Sequence, residues 1–144
     1  MQQIQFSIKI KAPKEKVWST LWNDKTFRDW ANNIDEGTYM IGELKEGNEV
    51  QFISSVSGYG VTSFVEKLDQ KKFVLFRHSS DTKESGKQKR EQEWSNGMES
   101  YSLVEKDGVT VLTIELDIPH EQEKTFKIKL PKALERIKTL AEEL

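Results

Sequence analysis

The chain has 144 residues, with 22 basic and 24 acidic side chains and a net charge of -2. That balance excludes a generic nucleic-acid binder, which carries a large basic excess. The 7 Phe, 4 Trp and 3 Tyr exclude a disordered chain, and the lack of cysteine excludes disulfides, thiolate nucleophiles and cysteine metal sites. Only 35% of the residues are hydrophobic, so a few large side chains must build the core. No apolar run approaches the length of a transmembrane helix, and the first residues carry no secretory pattern. The expectation is one cytoplasmic domain over residues 1–144, monomeric or weakly dimeric, with no membrane insertion.

Ile4, Phe6, Ile8 and Ile10 alternate with polar residues, which predicts a strand with one wet face. Ala12-Pro13 ends it, and the proline suits a first helical position. Val17, Trp18, Leu21 and Trp22 share one face of a short helix. Asn23-Asp24 breaks it and caps a second, whose Phe27 and Trp30 share a face.

From about residue 35 to residue 118 the period is two, with turn signals at Glu46-Gly47-Asn48, Gly58-Tyr59-Gly60, Asp69-Gln70-Lys71-Lys72 and Lys106-Asp107-Gly108. About six antiparallel strands follow from this. Gly58-Tyr59-Gly60 marks a turn or a close backbone approach. Residues 80 to 91 contain no apolar residue and read as a mobile loop, or as the frayed outer ends of two long strands. Ser95-Asn96-Gly97 reads as a turn or a bulge.

Phe126, Leu130, Ala133, Leu134, Ile137, Leu140, Ala141 and Leu144 recur at helical spacing across Pro131. Either one helix is kinked near Leu130, or a helix starts at Pro131 after an irregular segment. The order is a strand, two short helices, a run of antiparallel strands and a long helix. This is an α+β architecture whose sheet must be covered by the C-terminal helix.

The pattern Ala12-Pro13, Val17-Trp18, Leu21, Phe27 and Trp30 resembles the opening of the START-like, or SRPBCC, superfamily. More narrowly, the chain resembles the branch named after activators of the heat-shock chaperone ATPase. Glu36-Gly37-Thr38-Tyr39, Lys45-Glu46-Gly47, Gly58-Tyr59-Gly60, Phe76-Arg77-His78, Glu99 to Leu103, Gly108 to Leu112 and Pro131-Lys132-Ala133-Leu134 carry the resemblance nearly end to end. It implies a helix-grip fold, with a curved sheet of six or seven strands wrapped around the C-terminal helix and a hydrophobic cavity between them. The chain departs from the branch at Leu44, where a tryptophan is frequent, and at Ser79-Ser80, where a glycine usually follows the histidine.

Fold alone does not give function. The sequence holds no G-x-S-x-G elbow, no dinucleotide or phosphate loop and only two histidines, so neither a cofactor nor a metal is expected. The expected ligand-binding residues are Trp30, Tyr39, Phe52, Phe64, Phe76, His78, Trp94, Glu99, Tyr101, Phe126 and Leu130. The aromatics are natural cavity walls. Glu99 and Tyr101 lie two apart on one strand and face one side. A buried Glu99 would be an acid with a raised pKa or a ligand anchor, with Arg77 or His78 as partner. Trp18 and Trp22 are assigned to packing, and His120 to solvent. Lys83, Lys87, Lys89 and Arg90 alternate with acids and read as a solvated segment. The leading expectation is a non-catalytic domain that holds a small hydrophobic or aromatic molecule. The alternatives are a chaperone-ATPase-stimulating interaction module and a cyclase- or hydrolase-type enzyme using His78 and Glu99.

Overall fold

The computed structural model describes residues 1–83, 86–87 and 96–143. Residues 84–85, 88–95 and 144 lie outside them, among them Lys89, Arg90 and Trp94. Strand β1 (Gln2–Ile10) leads into helices α1 (Lys14–Trp22) and α2 (Asp24–Ala31). Strands β2 (Thr38–Ile41), β3 (Glu49–Ser54), β4 (Tyr59–Asp69) and β5 (Phe73–Lys83) follow. After the two-residue β6 (Gly86–Lys87) come β7 (Met98–Lys106), β8 (Val109–Ile118) and helix α3 (Glu123–Glu142).

All strands pair antiparallel in one curled sheet of order β1-β8-β7-β5-β4-β3-β2, with β6 beside β5. The long helix packs against β1, α1 and α2. This is the helix-grip fold. Residues 80–83 extend β5 against β4, in keeping with the long-strand reading there, while 84–85 and 88–91 of that polar stretch lie outside the described residues. Turns close where the backbone demands them. Asp107 and Gly108 both have positive φ, 54° and 78°, and form the two-residue connection between β7 and β8.

Pro13 sits one position earlier than the sequence suggests, as the N-cap of α1. Asn23 caps α2 by accepting the Lys25 N–H. One helix runs through Pro131, so the alternative start at that residue is not adopted. The buried stripe of Leu130, Ala133, Leu134, Ile137 and Ala141 continues on both sides of the proline. Burying it against the sheet outweighs the local loss of one hydrogen bond.

The core is continuous with an aromatic cluster. The Trp22 ring lies 4.9 Å from Tyr101, 5.6 Å from Phe76 and 6.5 Å from Trp30 by centroid, mostly edge to face. Phe27 and Phe52 extend the cluster. Trp22 therefore joins the first helix to the sheet-wall aromatics, and the two groups separated in the sequence are one.

Candidate functional site

A cavity of about 450 Å³ lies between α2, the sheet and the N-terminal half of α3. Phe27, Trp30 and Ala31 of α2 form one wall, and Phe126 and Leu130 of α3 another. Strands β3, β7 and β8 supply Phe52, Tyr101, Ile114 and Leu116. Exposed Asp35, Ser57, Tyr59 and Thr125 mark the mouth, with half-buried Lys129 beside them.

The expected residues do not all meet here. Trp30, Phe52, His78, Glu99, Tyr101, Phe126 and Leu130 line the space. Phe76 is fully buried beneath it, in ring contact with Phe52 and Tyr101. Tyr39 is half-buried with the Arg28 guanidinium 5.1 Å above its ring. Phe64 lies under Arg77, at 5.5 Å, and Arg77 Nε donates to Glu66 at 2.5 Å. Arg77 is thus occupied away from the cavity, and His78 is the partner of Glu99. Trp94 lies outside the described residues. His120 is exposed.

The polar part of the wall is a short chain of side chains. His78 is 2% exposed and Glu99 20%. His78 Nδ1 and Ser63 Oγ are 2.6 Å apart, and His78 Nε2 stands 3.4 Å from Glu99 Oε1. The Tyr101 hydroxyl donates to Glu99 Oε2. Strand geometry sets this up. Glu99 and Tyr101 are alternate residues of β7, and β5 presents Val74, Phe76 and His78 on the same side. The β4–β5 register shifts by one at Ser79, so Ser63 pairs with His78 while Thr62 pairs with Ser80. Ser79 Oγ donates to the Thr62 carbonyl and secures this bulge. Ser79, one of the two serines that stand where the resemblance expects a glycine, is therefore part of the site's construction.

Burial pushes the Glu99 carboxyl up, but the His78 contact and the Tyr101 hydroxyl outweigh it and leave it below the ordinary value. Burial, and then the neighbouring Glu99 charge, push the Tyr101 hydroxyl well above its ordinary value. Both directions favour a carboxylate at Glu99 and a neutral phenol at Tyr101. The expectation of a raised acid at Glu99 is corrected accordingly. At the mouth, burial raises the Asp35 carboxyl, Lys129 opposes this and Glu36 adds to it.

Sequence reasoning missed Ser63, Phe27, Ile114, Leu116, Asp35 and Lys129. Ser63 becomes visible only once the bulge fixes the register. Among the described residues no group of three His, Asp or Glu stands together to hold a metal ion. Nor is any helix among them long and apolar enough to cross a membrane.

Solved structures repeat this architecture. The chain is similar to protein MLL2253 from Mesorhizobium loti, with TM-score 0.77, 13% identity and 99% of this chain against 100% of that one. It is also similar to the Aha1 dimer from Colwellia psychrerythraea, with TM-score 0.74, 22% identity, and 99% and 97% covered. CalU16 from Micromonospora echinospora follows at TM-score 0.67, 17% identity, and 97% and 76% covered. These likenesses establish the helix-grip fold. No protein-family model and no curated protein matches the chain in sequence.

Proposed function

We propose that this chain binds a small, largely apolar molecule in the cavity between the sheet and α3, and does not transform it. The observation that carries this reading is the cavity of about 450 Å³ with Trp30, Phe52, Tyr101 and Phe126 in its walls, the His78–Glu99–Tyr101 cluster inside and polar side chains at its mouth. That volume and that composition are typical of small-molecule sites. His78, Glu99 and Tyr101 converge, as an enzyme would require, but Glu99 and Tyr101 are bonded to each other, an arrangement that suits an anchor. The Glu99 carboxyl is pulled below its ordinary value and the Tyr101 hydroxyl pushed above its own, which moves both away from a proton donor poised near neutral pH.

Thermal-shift screening with lipids, flavonoids and polyketides tests the proposal. A true ligand well above its Kd raises Tm by several degrees. No shift across the whole set removes the reading. The likeness to the Aha1 dimer supports a second proposal, an interaction module that stimulates a heat-shock chaperone ATPase. An ATPase rate unchanged by saturating protein eliminates it.

A further inference from the structure

The polar groups of the cavity wall are not an even mixture of donors and acceptors. The Trp30 indole N–H donates to the Leu21 carbonyl at 3.1 Å. The Ser54 hydroxyl donates to the Glu36 carbonyl at 2.6 Å, and the Thr38 hydroxyl to the Asp35 carbonyl at 2.6 Å. The Tyr101 hydroxyl donates to Glu99. His78 is held at both nitrogens, by Ser63 Oγ and by Glu99. Because Glu99 is a carboxylate, His78 must turn an Nε2–H toward it, since a bare lone pair there would face negative charge. These hydrogens are therefore already directed at protein acceptors. Other lining side chains with donors, such as Ser57, Thr125, Gln122 and Lys129, are exposed or half-buried.

Acceptors, by contrast, are left over. A carboxylate has about four lone-pair sites. Glu99 takes one proton at Oε2 from Tyr101 and meets His78 only at 3.4 Å through Oε1. The Tyr101 oxygen keeps its own lone pairs. A ligand group entering this wall therefore meets oxygen lone pairs and negative charge.

We infer that the ligand is an aromatic or apolar molecule whose buried polar group is a hydrogen-bond donor, a hydroxyl or an amine, received by Glu99. The inference rests on the cavity being a binding site. A donor reaching Glu99 gains a charge-assisted hydrogen bond to a carboxylate that is only 20% exposed. A carboxylate or phosphate in the same place faces the Glu99 charge, while the half-buried Lys129 stands at the mouth beside Asp35. An ether of the same shape loses the bond and leaves the carboxylate desolvated, which costs about tenfold or more in affinity.

A matched series on the wild-type chain tests this: β-naphthol, β-naphthylamine, the methyl ether of β-naphthol, and β-naphthoate. Affinity is read from quenching of the tryptophan fluorescence and from calorimetry. The expected result is that naphthol or naphthylamine binds about tenfold tighter than the ether, with naphthoate weakest. Which donor leads separates a neutral hydroxyl from an amine. In Glu99→Gln the donor advantage over the ether shrinks severalfold. Equal binding of all four, or naphthoate binding best, overturns the donor inference and leaves the binding function standing. Binding of none of them overturns both. The wild-type series decides the question even if Glu99→Gln fails to fold.

Discussion

At Glu99, burial works to protonate the side chain while His78 and Tyr101 work to keep it charged, and the second pair wins. The sign of the resulting pH effect follows. Below about pH 4.5 the unfolded chain takes up the proton first, because the folded carboxyl titrates lower. Glu99 therefore stabilises the fold above that pH, and its contribution disappears as pH falls through the folded value. Glu99→Gln is expected to cost roughly 1.5–3 kcal/mol at neutral pH, the worth of a hydrogen bond to a charged group. The difference from wild type closes under acid conditions, as urea titrations at a series of pH values would show. A difference independent of pH contradicts the assignment. Gly60 makes a sharper steric demand. A Cβ at Gly60 would stand 1.8 Å from the Phe52 carbonyl oxygen and 2.7 Å from the Ile53 Cα, both backbone. Gly60→Ala must spread β3 from β4 and is expected to cost about 2 kcal/mol or more. Gly47→Ala, with nothing within 4 Å but φ near 90°, is expected to cost about 1 kcal/mol.

Elements differ in how far a local pattern could specify them. Alternation in β1 and β8 and the stripe of α3 were legible, because one buried face imposes one period. The aromatic walls Trp30, Phe52 and Tyr101 were legible for the same reason. The Ser79 bulge was not, because a one-residue shift depends on a pairing between strands and leaves no local period. Phe64 was misplaced through the same blindness: its strand alternates, but its face is decided by Arg77 across the pair. Helix α3 is also tied to α2 by Arg136, which donates from Nε and Nη2 to Asp29 at 2.6 and 2.9 Å. Both side chains are over a third exposed, so Asp29→Asn is expected to cost under about 1 kcal/mol, less in high salt. Within α3, Pro131 lacks the N–H that would bond back along the helix. Replacing it with alanine restores that bond and removes the ring clash. Pro131→Ala is expected to raise stability by about 1 kcal/mol or more, read as a Tm gain of a few degrees. No gain would mean that Pro131 is needed for α3 to follow the sheet.

For the whole molecule, the low apolar fraction has two physical readings. A small core can be filled tightly by large rings, or a domain can be built around empty space. The structure contains both: a dense cluster about Trp22 and a cavity on the far side of Tyr101 and Trp30. These regions must respond oppositely to added volume. In a filled core an enlarged side chain forces strained rotamers and costs about 1–3 kcal/mol. In a cavity it gains contacts that were missing. Leu116 lies on β8 opposite Glu99 in register and lines the cavity. Leu116→Phe is therefore expected to leave stability unchanged or higher, while reducing affinity for an apolar probe at least about tenfold. Val17→Phe, at a fully buried site of α1, is expected to destabilise by the overpacking amount. Paired denaturation and binding curves on the two variants separate the readings. A stabilised but non-binding Leu116 variant is the signature of a cavity kept open for a ligand at the expense of packing. A Leu116 variant as unstable as the Val17 variant would show that this space closes in solution and serves no guest.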